Sequence, residues 1–191
     1  MKNICVFCSS SNYVNSVFAE AANELGAQLA ANRFAVVYGG THIGLMGKLA
    51  RSAKAAGGRA IGVIPEKLRD RGLAWDELDE LFVTADMRER KAKMGELAEG
   101  FIALPGGFGT LEEVFEVITL KQLGYHNKAI VLLNIADFYQ HLLNQFELFY
   151  KEKFAAAATA DLFFVADTVE SAIAYLKSYR PGYIPDKVLH K

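Results

Sequence analysis

Short apolar runs, many of them β-branched, punctuate the chain at 4–8 (ICVFC), 34–38 (FAVVY), 60–64 (AIGVI), 81–85 (LFVTA), 101–104 (FIAL), 129–133 (AIVLL) and 162–166 (LFFVA). Each is apolar almost without interruption, which is the pattern of a strand buried on both faces of a mostly parallel sheet. Longer amphipathic stretches separate them, at 15–31, 44–56, 87–98, 109–123, 138–153 and 169–178, and these predict helices. Strand and helix alternate throughout. The expected fold is therefore α/β, a doubly wound three-layer sandwich of Rossmann type, with about seven strands and helices on both faces. Right-handed crossovers would gather the C-terminal strand ends on one edge, where such folds bind ligands.

Length fits a single domain spanning 1–191, and an apolar fraction of 52% is ample for one packed core. With 21 Lys and Arg against 22 Asp and Glu, the net charge of −1 offers no general attraction to nucleic acid or to an anionic membrane. An anionic ligand must be held locally. No charged leader precedes a long apolar run and no stretch approaches a membrane span, so the chain reads as cytosolic. Cys5 and Cys8 have the C-x-x-C spelling, but they fall inside a predicted strand and point to opposite faces. They read as buried thiols, and one pair is too few for a structural zinc site.

Candidate chemistry collects at three strand ends. The first run leads into Cys8-Ser9-Ser10-Ser11-Asn12, where hydroxyls and free N–H groups suit a phosphate or sugar, or simply start a helix. The second leads into 38-YGGTHIGLMG-47, placing Gly39, Gly40, Gly44, Met46 and Gly47 beside a ligand, although the spacing is not G-x-G-x-x-G. The fifth leads into 103-ALPGGFGTLEEVFEV-117. Pro105 ends the strand, and Gly106, Gly107 and Gly109 let main chain approach a ligand. Phe108, Thr110, Leu111 and Glu112 would flank the start of a helix whose unpaired N–H groups attract an anion, with the Thr110 hydroxyl in support. No P-loop lysine is present, so a monophosphate fits better than a triphosphate with magnesium.

Two glutamates follow that cradle. Glu112 is expected to complement the helix dipole in the first turn. Glu113 shares a face with Thr110 and is a candidate for chemistry. In 86-DMRERKAKM-94, one of Arg88, Arg90 or Lys91 can reach the same edge, where an arginine would orient a carboxylate. Arg88, Glu89 and Lys93 otherwise read as a solvated face. The polar connection 68–80 reads as a surface loop with a short helix, the alternative being a flap over the site. The aromatic stretch 137–150 is expected in the core or a subunit interface, and the tail 180–191 on the surface or against a neighbouring subunit.

These residues resemble the "lonely guy" family of cytokinin-activating phosphoribohydrolases, once widely labelled lysine decarboxylases. The resemblance rests on 105-PGGFGTLEE-113 and 87-MRERK-91, supported by 38-YGG-40, 44-GLMG-47 and 122-QLGYHNK-128, and spans most of 1–133. It implies hydrolysis of the N-glycosidic bond of a nucleoside 5′-monophosphate by a Rossmann-like homodimer without metal or organic cofactor. The catalytic pair carries over as Arg90 and Glu113, and the phosphate binders as Gly106, Gly107, Gly109 and Thr110. Met87 and Lys91 carry over to the base and ribose surroundings, and Thr119 further along the same helix is a candidate contact. The chain has Arg88 where many members carry His, and Thr41-His42 inside its glycine turn. The substrate class implied is adenosine 5′-monophosphate, with or without an N6 substituent. A carrier of nucleotide or molybdenum cofactor is the competing reading, but it gives no chemical reason for Arg90 and Glu113 together. Decarboxylation would need a pyridoxal or pyruvoyl group that nothing here anchors.

Overall fold

A computed structural model describes residues 2–182. Its sheet has seven strands, all parallel: β1 (Lys2–Phe7), β2 (Phe34–Tyr38), β3 (Ala60–Pro65), β4 (Glu80–Thr84), β5 (Gly100–Ala103), β6 (Ala129–Leu133) and β7 (Phe164–Ala166). They lie in the order β4-β3-β2-β1-β5-β6-β7. The chain thus winds outward from β1 to one edge, then returns to β5 on the other side of β1. The loops that leave β1 and β5 diverge, and the crevice between them is the ligand position of such sheets.

Helices α1 (Ser16–Ala31), α2 (Gly44–Ala55) and α7 (Val169–Ser178) cover one face, and α4 (Met87–Leu97), α5 (Phe108–Gln122) and α6 (Gln140–Lys151) the other. A one-turn helix, α3 (Glu66–Arg69), follows β3. Strand residues alternate between the two cores: Ile4, Val6 and Cys8 face α1 and α2, whereas Cys5 and Phe7 face α4 and α5. Both cysteines are buried and unpaired, and burial pushes both thiols well up, so neither is reactive.

The central runs are buried throughout, as continuous apolarity requires, while the edges depart from it. β4 is an edge strand of the sheet, and there the side chains of Leu81 and Val83 are exposed. β7 begins at Phe164, later than the apolar run suggests, because 157–162 coils into 3-10 turns that bury Leu162.

The connection 66–79 differs more. Trp75 is buried, its N–H donates to the Gly40 carbonyl at 3.0 Å, and the His42 N–H donates to the Leu73 carbonyl at 3.1 Å. Thr41 and Ala74 form an antiparallel bridge. These bonds tie the segment to the glycine turn after β2, so it stands as a wall of the cleft and not as a free surface loop. The aromatic stretch before and within α6 is divided, with Phe138 and Leu148 exposed and other residues packed inward. Phe146 and Tyr139 are buried, and the Tyr139 hydroxyl donates to the Leu104 carbonyl at 2.7 Å, fixing the end of β5. Of the tail 180–191, all but residues 180–182 lies outside the described residues.

Candidate active site

A cleft of about 420 Å³ opens over the C-terminal ends of β1, β2 and β5. Its wall at β5 is the start of α5. The N-cap is Gly107, which offers no side chain to cap the helix, so the first amides stay open to a ligand. Gly107, Gly109 and Thr110 line the cleft there. The serine loop faces them, with Cys8, Ser9, Ser10 and Ser11 on the lining. Ser9 Oγ accepts from the Ser11 N–H at 3.0 Å and Ser11 Oγ from the Tyr13 N–H at 3.2 Å, leaving both hydroxyl protons to donate. Asn12 Oδ1 accepts from the Gly44 N–H at 2.8 Å and stitches this loop to α2. Gly44 has φ +58°, and a Cβ there would lie 2.3 Å from the Ser10 carbonyl carbon, so only glycine fits.

Deeper in the cleft lies a buried ion pair. Arg90 Nη1 donates to Glu113 Oε1 at 3.2 Å, and Arg90 and Glu113 are only 5% and 4% exposed. Arg90 Nε donates to the Val63 carbonyl at 3.0 Å, so the guanidinium is held from two sides. Asp86 starts α4 by accepting from the N–H groups of Arg88 and Glu89 at 2.8 and 2.9 Å, which sets the turn that carries Arg90 inward. Gly39 provides the space: a Cβ there would lie 1.9 Å from Arg90 Nη2. Burial raises the Glu113 carboxyl to about 7, against the pull of Arg90 and with a push from Glu112.

The opposite wall is apolar: Ile43, Met46 and Met87, with Leu68 and Leu73 from the tied-down 66–79 segment. Leu68 and Leu73 escaped the sequence reading. Their only signal was the long connection weighed as a flap.

The structure brings together Ser9, Ser10, Met46, Met87, Arg90, Gly107, Gly109, Thr110, Glu112 and Glu113 on one cleft. Other candidates stand elsewhere. Gly39 packs on Arg90, Gly40 on Val63, Gly47 on the His42 carbonyl and Gly106 on Thr110. Pro105 is buried, Phe108 points to solvent at 95% exposure, and Leu111 does not line the cleft. Thr119 borders a small aromatic groove beside α6. Lys91 turns away, forming ion pairs with Glu112 and, at 2.8 Å, with Glu116. Glu112 lies past the first turn of α5, which holds no acid, so its partner is Lys91 and not the helix dipole. Arg88 and Glu89 are exposed, as a solvated face requires. Among the described residues no cluster of three or more His, Cys, Asp or Glu side chains could hold a metal ion.

Fold and site together define a Rossmann-like nucleotide-cleft protein with a buried Arg–Glu pair, and comparison with known proteins makes the class specific. The family described as "Possible lysine decarboxylase" matches residues 46–176. The cytokinin riboside 5′-monophosphate phosphoribohydrolase LOG5 of Arabidopsis thaliana is 38% identical over 190 residues, covering 100% of this chain and 82% of the relative. LOG4 of the same plant is 41% identical, over 93% of this chain and 83% of its own. Among solved structures, the molybdenum cofactor carrier protein of Chlamydomonas reinhardtii superposes with a TM-score of 0.68 at 27% identity, over 92% of this chain and 96% of that one. The chain belongs to the family of these phosphoribohydrolases, the one labelled possible lysine decarboxylase.

Proposed function

We propose that the chain hydrolyses the N-glycosidic bond of adenosine 5′-monophosphate carrying an N6 substituent, as in a cytokinin riboside 5′-monophosphate, and of AMP itself. The products are free base and ribose 5-phosphate. The observation that carries this reading is the buried Arg90–Glu113 pair set beside an uncapped helix N-terminus in one cleft. The family relatives, named for this activity, support it.

The open amides of α5 and the Thr110 hydroxyl take the phosphate. Glu113 follows Thr110 by three residues on the same helix face, which puts the two Cβ atoms roughly 5–6 Å apart. A carboxylate there faces the ribose when the phosphate is seated. Cleavage breaks the C1′–N bond, the electron pair leaves with the base, and positive charge spreads over C1′ and the ring oxygen. A carboxylate held in a dry, fixed position stabilises that charge more than water does. Water then bonds to C1′ and loses a proton, and the departing base takes up one in exchange, so the products are the neutral base and ribose 5-phosphate. Stabilisation and positioning are the roles we assign to Glu113 ahead of water activation, with Arg90 fixing its orientation. The wall formed by Ile43, Met46, Leu68, Leu73 and Met87 suits an apolar base substituent.

The same reading has the chain act as a homodimer in the cytosol. Exposed Phe115 and Leu148, on α5 and α6, support a second copy covering that face, and two unpaired buried thiols fit a reducing compartment. Light scattering at micromolar concentration reads the dimer directly.

Likeness to a molybdenum cofactor carrier favours the second reading, binding without turnover. A panel of AMP, N6-isopentenyladenosine monophosphate, GMP, CMP and adenosine decides between them. Base release from the adenine monophosphates and not from adenosine is expected. Tight nucleotide binding with no base released from any of them would overturn the hydrolase and favour the carrier.

A further inference from the structure

Lys91 matches the family motif but sits outside the cleft, on the far side of Glu113. A second cavity of about 270 Å³ lies there between α4 and α5, walled by Glu113, Lys91 and Glu116 and floored by Phe7 and Phe101. Glu113 is therefore the partition between two cavities. From the lining of the second one, Lys91 bonds Glu112 and, at 2.8 Å, Glu116. The Lys91 side chain is only 15% exposed, whereas Glu112 and Glu116 are 56% and 40% exposed, so the cation is the sheltered member.

We propose that Lys91 is a positioning residue, which by bridging Glu112 and Glu116 across the α4–α5 crevice keeps negative charge on Glu113. It touches neither the cleft nor a reacting atom. It acts through the two carboxylates that flank Glu113 on the same helix. The inference rests on the hydrolase reading only for its link to rate.

Charged groups face Glu113 from several elements. From α4 come Arg90 and Lys91, both favouring its ionised form; from its own helix come Glu112 and Glu116, both opposing it. Cys5 and Cys8 approach from β1, and burial keeps both thiols neutral. At the distant end of the crevice His126 is held neutral by burial, down to about 4, and Lys128 is bonded to the Gly95 carbonyl at 2.8 Å. Two cations thus face three carboxylates, inside a crevice where burial already works against charge. Without Lys91, one cation would remain against three acids, and Glu113 would take up a proton at higher pH.

The test titrates Glu113 by ¹³C NMR in ligand-free protein labelled at glutamate carboxyl carbons, beside pH–rate profiles for base release. Lys91→Met should raise the Glu113 midpoint by about one unit and move the acid limb of kcat/KM by the same amount, with its high-pH plateau little changed. Lys91→Arg should restore both. Glu116→Gln, a surface change that leaves folding intact, should move the midpoint the opposite way. Lys93→Met, which removes the same charge from the outer part of α4, should shift neither. A midpoint unmoved in both Lys91→Met and Glu116→Gln would overturn the proposal. Failure of the wild type to release base would instead remove the hydrolase reading, and the titration would still decide the role of Lys91.

Discussion

Gly39→Ala tests whether the pocket that seats Arg90 is built as tightly as the geometry says. The backbone at Gly39 is not in the left-handed region, so alanine adopts it without strain. The methyl group is the whole perturbation. It would lie 1.9 Å from Arg90 Nη2 and 2.9 Å from Met46 Sδ. Ordinary contact begins near ~3.5 Å, so the guanidinium must withdraw by about 1.5 Å. Its bonds to Val63 and Glu113 span 3.0 and 3.2 Å, and such a shift breaks at least one. A hydrogen bond to a charged group contributes about 1.5–3 kcal/mol, which corresponds to roughly 10- to 100-fold in kcat/KM if the bond is needed in the transition state. Overpacking adds about 1–3 kcal/mol of lost stability, too little to unfold a domain of ordinary stability at 25 °C. The assay is base release from an adenine monophosphate at 25 °C, with circular dichroism confirming the fold. A folded variant with kcat/KM within twofold of wild type would refute the reasoning.

Four further outcomes follow from the same geometry. Burial pushes the Glu113 carboxyl up to about 7 from 4.5, and catalysis needs it ionised, so kcat/KM should rise with pH through about 7. Because its folded value is raised, the stability it contributes is present below about 4.5 and lost as pH rises through about 7. Urea melts of wild type and Glu113→Gln should therefore diverge by about 3 kcal/mol between pH 4.5 and 8, the wild type losing ground. Gly95→Ala, inside α4 where a Cβ meets nothing within 4 Å, should stabilise by about 0.5–1 kcal/mol, read as a higher Tm with activity retained. Trp75 is the sole tryptophan and is tied to the turn beside the cleft, so its fluorescence should change saturably on titration with AMP.

Much of the fold could be read from the chain because the central strands are buried on both faces and their runs are unbroken. Where burial is one-sided or short, at β4 and β7, the boundaries moved. The juxtaposition of Arg90 with Glu113 followed from motif and topology together, since α4 and α5 start at the same edge of the sheet. Contacts between distant segments were not legible. Nothing local to Gly39 says that its missing side chain makes room for Arg90, and nothing local to Leu68 or Leu73 says that Trp75 will anchor their segment against Gly40. Lys91 shows the converse: its motif spelling pointed to the ligand, but its side chain answers to two acids one helix away.

The most direct test of the central claim is kcat for base release from an adenine 5′-monophosphate in wild type and Glu113→Gln at pH 8, with nucleotide affinity measured by calorimetry on both. Loss of a preorganised charge of this kind costs about 10²- to 10³-fold, so kcat should fall by that much while affinity changes only a fewfold. A Glu113→Gln protein that turns over at the wild-type rate would contradict the account.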